Sequence, residues 1–303
     1  MKLNHRHTHK EKAIQFLSIV GGFFIATAIL LLIWQSTNNI NSIKVTDQGS
    51  SLGAWVGGDA ILPESVITSL SEYYGASGFP STISGSASDN LAVSEVLIRI
   101  QRNSDDYYWD ENTIDWVASE TWNLVSGTDT WSWSTSNLVT NLSDGVQYTI
   151  NSQAVDVYSN IETDITDENS QELFSYDITA PSVPSVVNDG DGSDIDETTS
   201  NSQLVSNWFV STDTTSGLQK YQYAIGTSVG ATDILDWTNN STNTSVTKTG
   251  LLLSDGITYY FTVRAVDNVG NVGSAANSDG ITVNIIEEED SITEESTDSN
   301  VDT

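Results

Sequence analysis

The 303-residue chain has no cysteine, and its three histidines, His5, His7 and His9, all fall within the first nine residues. The first absence excludes disulfides, thiol nucleophiles and every cysteine-ligated metal, so an exported fold must be held by core packing or by metal bound through oxygen. The second excludes a Ser-His-Asp triad or a histidine-held zinc site anywhere beyond residue 9. Positive charge is scarce too. Beyond residue 34, six bases (Lys44, Arg99, Arg102, Lys220, Lys248 and Arg264) stand against 40 acids. A surface of that sign repels phosphate backbones and anionic lipid headgroups and favours divalent cations, so nucleic acid is not an expected partner. Helical periodicity is also missing past residue 60.

The exception is the beginning. Residues 13–34, AIQFLSIVGGFFIATAILLLIW, run for 22 residues without a charge. At 1.5 Å per residue that length crosses a hydrocarbon core of roughly 30 Å. Lys2, Arg6, Lys10 and Lys12 precede it against the single acid Glu11. The asymmetry predicts a cytoplasmic segment 1–12, a transmembrane helix 13–34 and an extracellular remainder. The small residues Ala26 and Ala28 would suit signal-peptide cleavage, but six further apolar residues follow where such a region turns polar.

After the helix, residues 35–75 are rich in Asn, Ser and Gly and are expected to form a stalk, although VITSLSEYY (66–74) within them also suits a first strand or a small helix. From there on, Val, Ile, Thr, Tyr and Trp interleave with Ser, Asn and Asp, the composition of strands with one buried face. STISGSASD (81–89) places Ile83, Gly85 and Ala87 on one side, and VSEVLIRIQR (93–102) does the same with Val96, Ile98 and Ile100. Turn signals separate the runs. DITAPSVP (177–184), with two prolines three residues apart, reads as a stiff connector. The last 17 residues, 287–303, hold eight acids with no base and no aromatic, and are expected to be disordered.

One stretch occurs twice. LSDGVQYTINSQAVDVYSNI (142–161) returns 111 residues later as LSDGITYYFTVRAVDNVGNV (253–272), with nine of twenty positions identical. Repetition at that spacing predicts two copies of one structural unit, residues 76–177 and 186–286, joined by a linker at 178–185. The expected fold class is all-β, two tandem antiparallel β-sandwiches.

The second copy resembles a fibronectin type III domain. Trp208 stands at the family's strand-B tryptophan, and Leu218, Tyr221, Tyr223 and Ile225 follow its strand-C pattern. Leu253, Gly256, Tyr259, Phe261, Val263 and Ala265 follow its closing pattern. The resemblance implies that Tyr259, and Tyr148 in the first copy, fill a strand corner with the hydroxyl bonded to nearby backbone. The first copy resembles the bacterial immunoglobulin-like modules through Ser84, Gly85, Ala87, Asp89, Val93, Val96 and Ile100. Both resemblances imply a non-catalytic cell-surface protein with structural or adhesive modules, contacting other surface proteins or glycans. Abundant carboxylates do not change this, because 40 acids place some pair at almost any separation; the chain is not expected to be an enzyme.

Two kinds of site stand out. Calcium takes six to eight oxygen ligands, and Asp156 and Asp267 each stand just after the expected sixth strand of their sandwich, in a manner similar to the cadherin AxDxG aspartate. With Asp177 from the linker and Asp213 after the second strand, Asp267 forms one expected calcium site at the junction of the sandwiches; Asp89 with Asp156 forms a weaker one. NDGDGSDIDE (188–197) lacks the sixth-position glycine and twelfth-position glutamate of an EF-hand and reads as a turn into the first strands. The alternative to a structural role is a carbohydrate-binding receptor. Its contacts would be Trp109, Trp116 and Trp122, from a 25-residue segment that also holds Trp131 and Trp133. That reading requires several of the five to be exposed and coplanar.

Overall fold

A computed structural model describes residues 43–44, 55–56, 59–167 and 169–286. The apolar run 13–34 and the acidic residues 287–303 lie outside them, as does most of the segment before residue 59. Among the described residues no helix is long and apolar enough to cross a membrane.

Two short strands, β1 (Ile43–Lys44) and β2 (Trp55–Val56), pair antiparallel. The first copy then contributes β3 (Glu64–Ile67), β4 (Tyr73–Tyr74), β5 (Thr82–Ser88), β6 (Val93–Arg102), β7 (Tyr107–Asp110), β8 (Asp115–Val117), β9 (Asn123–Leu124), β10 (Thr130–Ser134), β11 (Val146–Asp156) and β12 (Gln171–Tyr176). The second contributes β13 (Val187–Asp189), β14 (Glu197–Thr198), β15 (Gln203–Trp208), β16 (Leu218–Gly226), β17 (Leu235–Asn239), β18 (Ser245–Thr249), β19 (Thr258–Asp267), β20 (Ala276–Asn277) and β21 (Ile281–Val283).

In the first copy β10-β5-β3 form one sheet, and β4-β12-β11-β6-β7-β8 form the other with β9 against β6. In the second copy the sheets are β13-β15-β18 and β14-β21-β19-β16-β17, with β20 on β19. Setting aside the two-residue strands, the second copy places its first, second and fifth strands on one sheet and the rest on the other, and the first copy does the same with its first, second and sixth, the hairpin strand β8 being extra. That is the Greek-key partition of immunoglobulin- and fibronectin-like sandwiches. The compact units do not follow the repeat boundary. Among the described residues, one comprises those up to 70 with 80–138 and 149–172, the other 71–79, 139–148 and 173–286, so the division runs through β11 and β12.

The core of the first unit follows from period-two alternation. Ile83, Val96, Ile98, Ile100, Trp131, Trp133 and Ile150 are all buried. Gly85 is small for a reason: a Cβ there would lie 2.0 Å from the Val66 carbonyl and 2.4 Å from the Trp131 ring. The absent side chain is the space that the tryptophan fills. β3 corrects the expected stalk, because Ser65 and Ile67 are buried and β3 pairs with β5. Only Ile67 of those two is apolar. Ser65 is held instead by Glu162, whose Oε1 accepts its amide at 3.0 Å and Oε2 its hydroxyl at 2.6 Å.

The second unit packs Leu204, Trp208, Tyr221, Tyr223, Ile225, Tyr259, Phe261 and Val263 into one cluster. Trp208 meets Tyr221 edge-on at 5.6 Å. Fully burying each large apolar side chain contributes about 1.5 to 3 kcal/mol. Tyr74, Phe79, Tyr148 and Phe174 form an aromatic group in the same unit.

The shared residues of the repeat now have reasons. Ser143 and Ser254 donate their amides to the hydroxyls of Tyr148 and Tyr259 at 2.7 and 2.8 Å, the corner arrangement in both copies. Gly145 and Gly256 sit at φ of 72° and 73°, where a side chain is strained. Asp144 and Asp255 accept the amides of Ile178 and Ile285, fastening the chain that leaves each last strand.

Candidate functional site

β11 and β19 each end on a buried aspartate, Asp156 and Asp267, and the turn that follows folds back on it. In the second unit Asp267 Oδ1 accepts the amides of Val269, Gly270 and Asn271 at 3.0, 2.7 and 2.8 Å. In the first, Asp156 Oδ1 accepts those of Tyr158 and Asn160 at 2.8 and 2.7 Å. The turn needs a left-handed residue, supplied by Gly270 (φ 96°) in one copy and by Ser159 (φ 68°) in the other. Burial raises the pKa of Asp156, but the Asn160 side chain and the amides of the turn outweigh it and hold the carboxyl below its usual range.

An asparagine closes each arrangement. Asn271 Nδ2 donates to Asp267 Oδ2 and to the carbonyls of Asp177 and Thr179. Asn160 Nδ2 donates to Asp156 Oδ2 and to the carbonyls of Asp59 and Ile61. A third loop brings one more carboxylate to each. Asp213 Oδ1 gathers the amides of Thr215, Ser216 and Gly217, and Asp89 Oδ2 accepts that of Leu91.

Two triads of aspartates result, Asp177, Asp213 and Asp267 in the second unit and Asp59, Asp89 and Asp156 in the first. Within each, one carboxylate oxygen per residue lies within 4.8 Å of the others. The sequence-expected residues Asp177, Asp213 and Asp267 are thus brought together, as are Asp89 and Asp156. Asp59 was missed because it lies in the segment read as stalk. A signal for it exists: Asp59 and Asp177 each stand four residues before a proline, Pro63 and Pro181. In the first triad Asp59 Oδ2 and Asp89 Oδ1 are buried atoms without any hydrogen-bond donor. Three hard oxygen donors with no nitrogen or sulfur ligand suit calcium or magnesium rather than a transition metal.

The tryptophan segment is arranged differently from a sugar platform. Trp109, Trp131 and Trp133 are buried, Trp109 with no exposed surface, so it has no face to offer a glycan. This corrects its assignment as a sugar contact. The reason lies in β7, where Trp109 points inward and meets Trp116 edge-on at 5.5 Å while its indole N–H donates to Glu111. Trp116 and Trp122 are half-buried, and guanidinium groups already lie over their rings: Arg102 at 4.8 Å and Arg99 at 5.0 Å. Arg99 is fastened by Glu120 and Asn151, and Arg102 by Asp105.

No protein-family model and no curated protein matches the chain. Among solved structures, domains A168–A170 of titin align at 16% identity over 80% of this chain and 74% of that one, with a TM-score of 0.43. The FN1–FN3 domains of chicken CNTN1 align at 10% identity over 77% and 70%, with a TM-score of 0.40. A structure from a 1.5-MDa bacterial ice-binding adhesin aligns at 16% identity over 74% and 65%, also with a TM-score of 0.40.

Proposed function

We propose that this chain is a non-catalytic surface protein, anchored through residues 13–34 with its β-sandwiches outside the cell, and that calcium stiffens it at the two aspartate triads. Its role in this reading is structural or adhesive: it spaces and presents contacts to other surface proteins or glycans. The observation that carries the calcium part is the duplication of a whole constellation. An aspartate ending β11 or β19, an asparagine clamp onto the entering chain, an aspartate four residues before a proline and an aspartate from a third loop occur in both copies. Folding alone does not call for three carboxylates within 4.8 Å, since like charges at that distance repel. The buried tryptophans and the arginine-covered ones favour the structural role over a glycan receptor.

The test is a calorimetric calcium titration of the full-length protein in detergent, after EDTA treatment. Asp89→Asn and Asp213→Asn should each remove one equivalent of bound calcium. Calcium uptake that neither variant alters would overturn the reading. Labelling of Lys220 and Lys248 on intact cells by a membrane-impermeant amine reagent checks the surface location, and labelling only after lysis would refute it.

A further inference from the structure

A third cluster lies in the second unit, away from the repeated turn. β13 ends on Asp189, which is fully buried. The loop that follows reverses through Gly190 and Gly192, at φ of 101° and 114°. It closes on itself where the Ile195 amide donates to the Asp189 carbonyl and the Asp189 amide to Asp194 Oδ1, at 2.9 and 2.8 Å. From 91 residues further on, Gly280 donates its amide to Asp189 Oδ2 at 3.0 Å. Only glycine fits there, because a Cβ would lie 2.6 Å from the Tyr260 ring.

Those loops bring one carboxylate oxygen each of Asp189, Asp194 and Asp279 within 4.8 Å of one another. Asp194 and Asp279 are exposed, so the cluster opens to solvent on their side. Asp189 Oδ1 is different: it is buried and accepts no hydrogen bond. A buried carboxylate oxygen without a donor is costly unless a cation supplies the missing partner. No ion pair among the described residues reaches any of the three.

We propose that Asp189, Asp194 and Asp279 form a third divalent-cation site, for calcium, that ties the β13–β14 loop to the turn before β21. The inference goes beyond the two repeated triads and does not rest on them. The ligands are hard oxygens only, the outer face leaves room for water, and two ligands come from one short loop while the third crosses from another.

The experiment uses full-length Asp89→Asn/Asp213→Asn protein, in which the repeated triads are each short of a ligand. Calorimetric titration with calcium should still show uptake, and adding Asp279→Ala should abolish it. Asp279 is exposed, so this change does not threaten folding; Asp189→Asn, close in shape, should act alike. If the double variant takes up no calcium, or if Asp279→Ala leaves its uptake unchanged, the third site is refuted. Failure of the repeated triads reads differently: parent and double variant would then take up the same amount, still lost with Asp279.

Discussion

Asp213→Asn separates the two opposing effects at the second-unit triad. Asp213 Oδ1 accepts three amides at 2.9 to 3.2 Å, and an asparagine oxygen can accept the same three. The substitution therefore keeps the turn and removes one negative charge. In EDTA that charge is a burden, because the carboxylates of Asp177 and Asp267 come within 4.8 Å. At that separation each like-charge pair costs about 1 kcal/mol in water and about 3 kcal/mol at an effective dielectric of ~20. Weaker bonds from a neutral acceptor offset about 1 kcal/mol of the relief. Two such pairs are relieved, so the variant should be at least about 1 kcal/mol more stable than the parent without calcium. With free calcium at 100 times its dissociation constant, the parent gains about 2.7 kcal/mol, on the order of 10 °C for a domain of this size. The variant should lose most of that gain, so the order of stability inverts. Differential scanning calorimetry of both proteins, in EDTA and in millimolar calcium, reads the inversion. A variant less stable than the parent in EDTA, or one that keeps the full calcium shift, would refute the reasoning.

Gly85→Ala should be severe, at least about 3 kcal/mol by denaturant unfolding, because the added methyl meets a carbonyl and the Trp131 ring at once. Ser159→Gly should stabilise the protein by about 1 kcal/mol, as it relieves the left-handed strain that Gly270 avoids in the other copy; a loss of stability would argue against that turn geometry. Tyr259→Phe should cost about 1 kcal/mol through the lost bond to the Ser254 amide and leave calcium uptake unchanged. Glu162 predicts a pH dependence: burial raises its carboxyl above the usual 4.5, although Ser65 and Ala154 donate to it. A raised folded pKa favours the folded state fully below 4.5 and progressively less as pH rises through the folded value. Unfolding measured in EDTA should show that decline, and Glu162→Gln should flatten it; an unchanged slope would show that Glu162 is not its source.

The core was legible wherever side chains alternate with period two. Val96, Ile98 and Ile100 read as one face, and the repeated Tyr, Gly and Ala read as fold rather than chemistry, because local pattern decides them. β3 was legible only in part: Val66 and Ile67 open a stretch that suits a strand, but Ser65 is buried by a hydrogen bond to Glu162, 97 residues away, and leaves no apolar trace. The same reason hid Asp59 among Gly and Ser residues, and it explains Trp109. An aromatic-rich segment looks alike whether its rings face solvent or the interior, and the side is settled by partners such as Glu111 and Trp116.

The aspartates show where sequence reading stops and geometry begins. By count, 40 acids beyond residue 34 offer a metal site almost anywhere, so placement at the end of the repeated strand narrows the choice without deciding it. What distinguishes Asp59, Asp89 and Asp189 from an ordinary turn aspartate is the other oxygen. A turn aspartate donates nothing, accepts backbone amides and leaves its remaining lone pairs to water. Here one oxygen of each accepts an amide while the second is buried without a donor. Asparagine could take the same amide in each turn, yet a carboxylate stands in all three places. A cation held between loops accounts for the charge and for the orphaned oxygen together, whereas a turn accounts only for the amides.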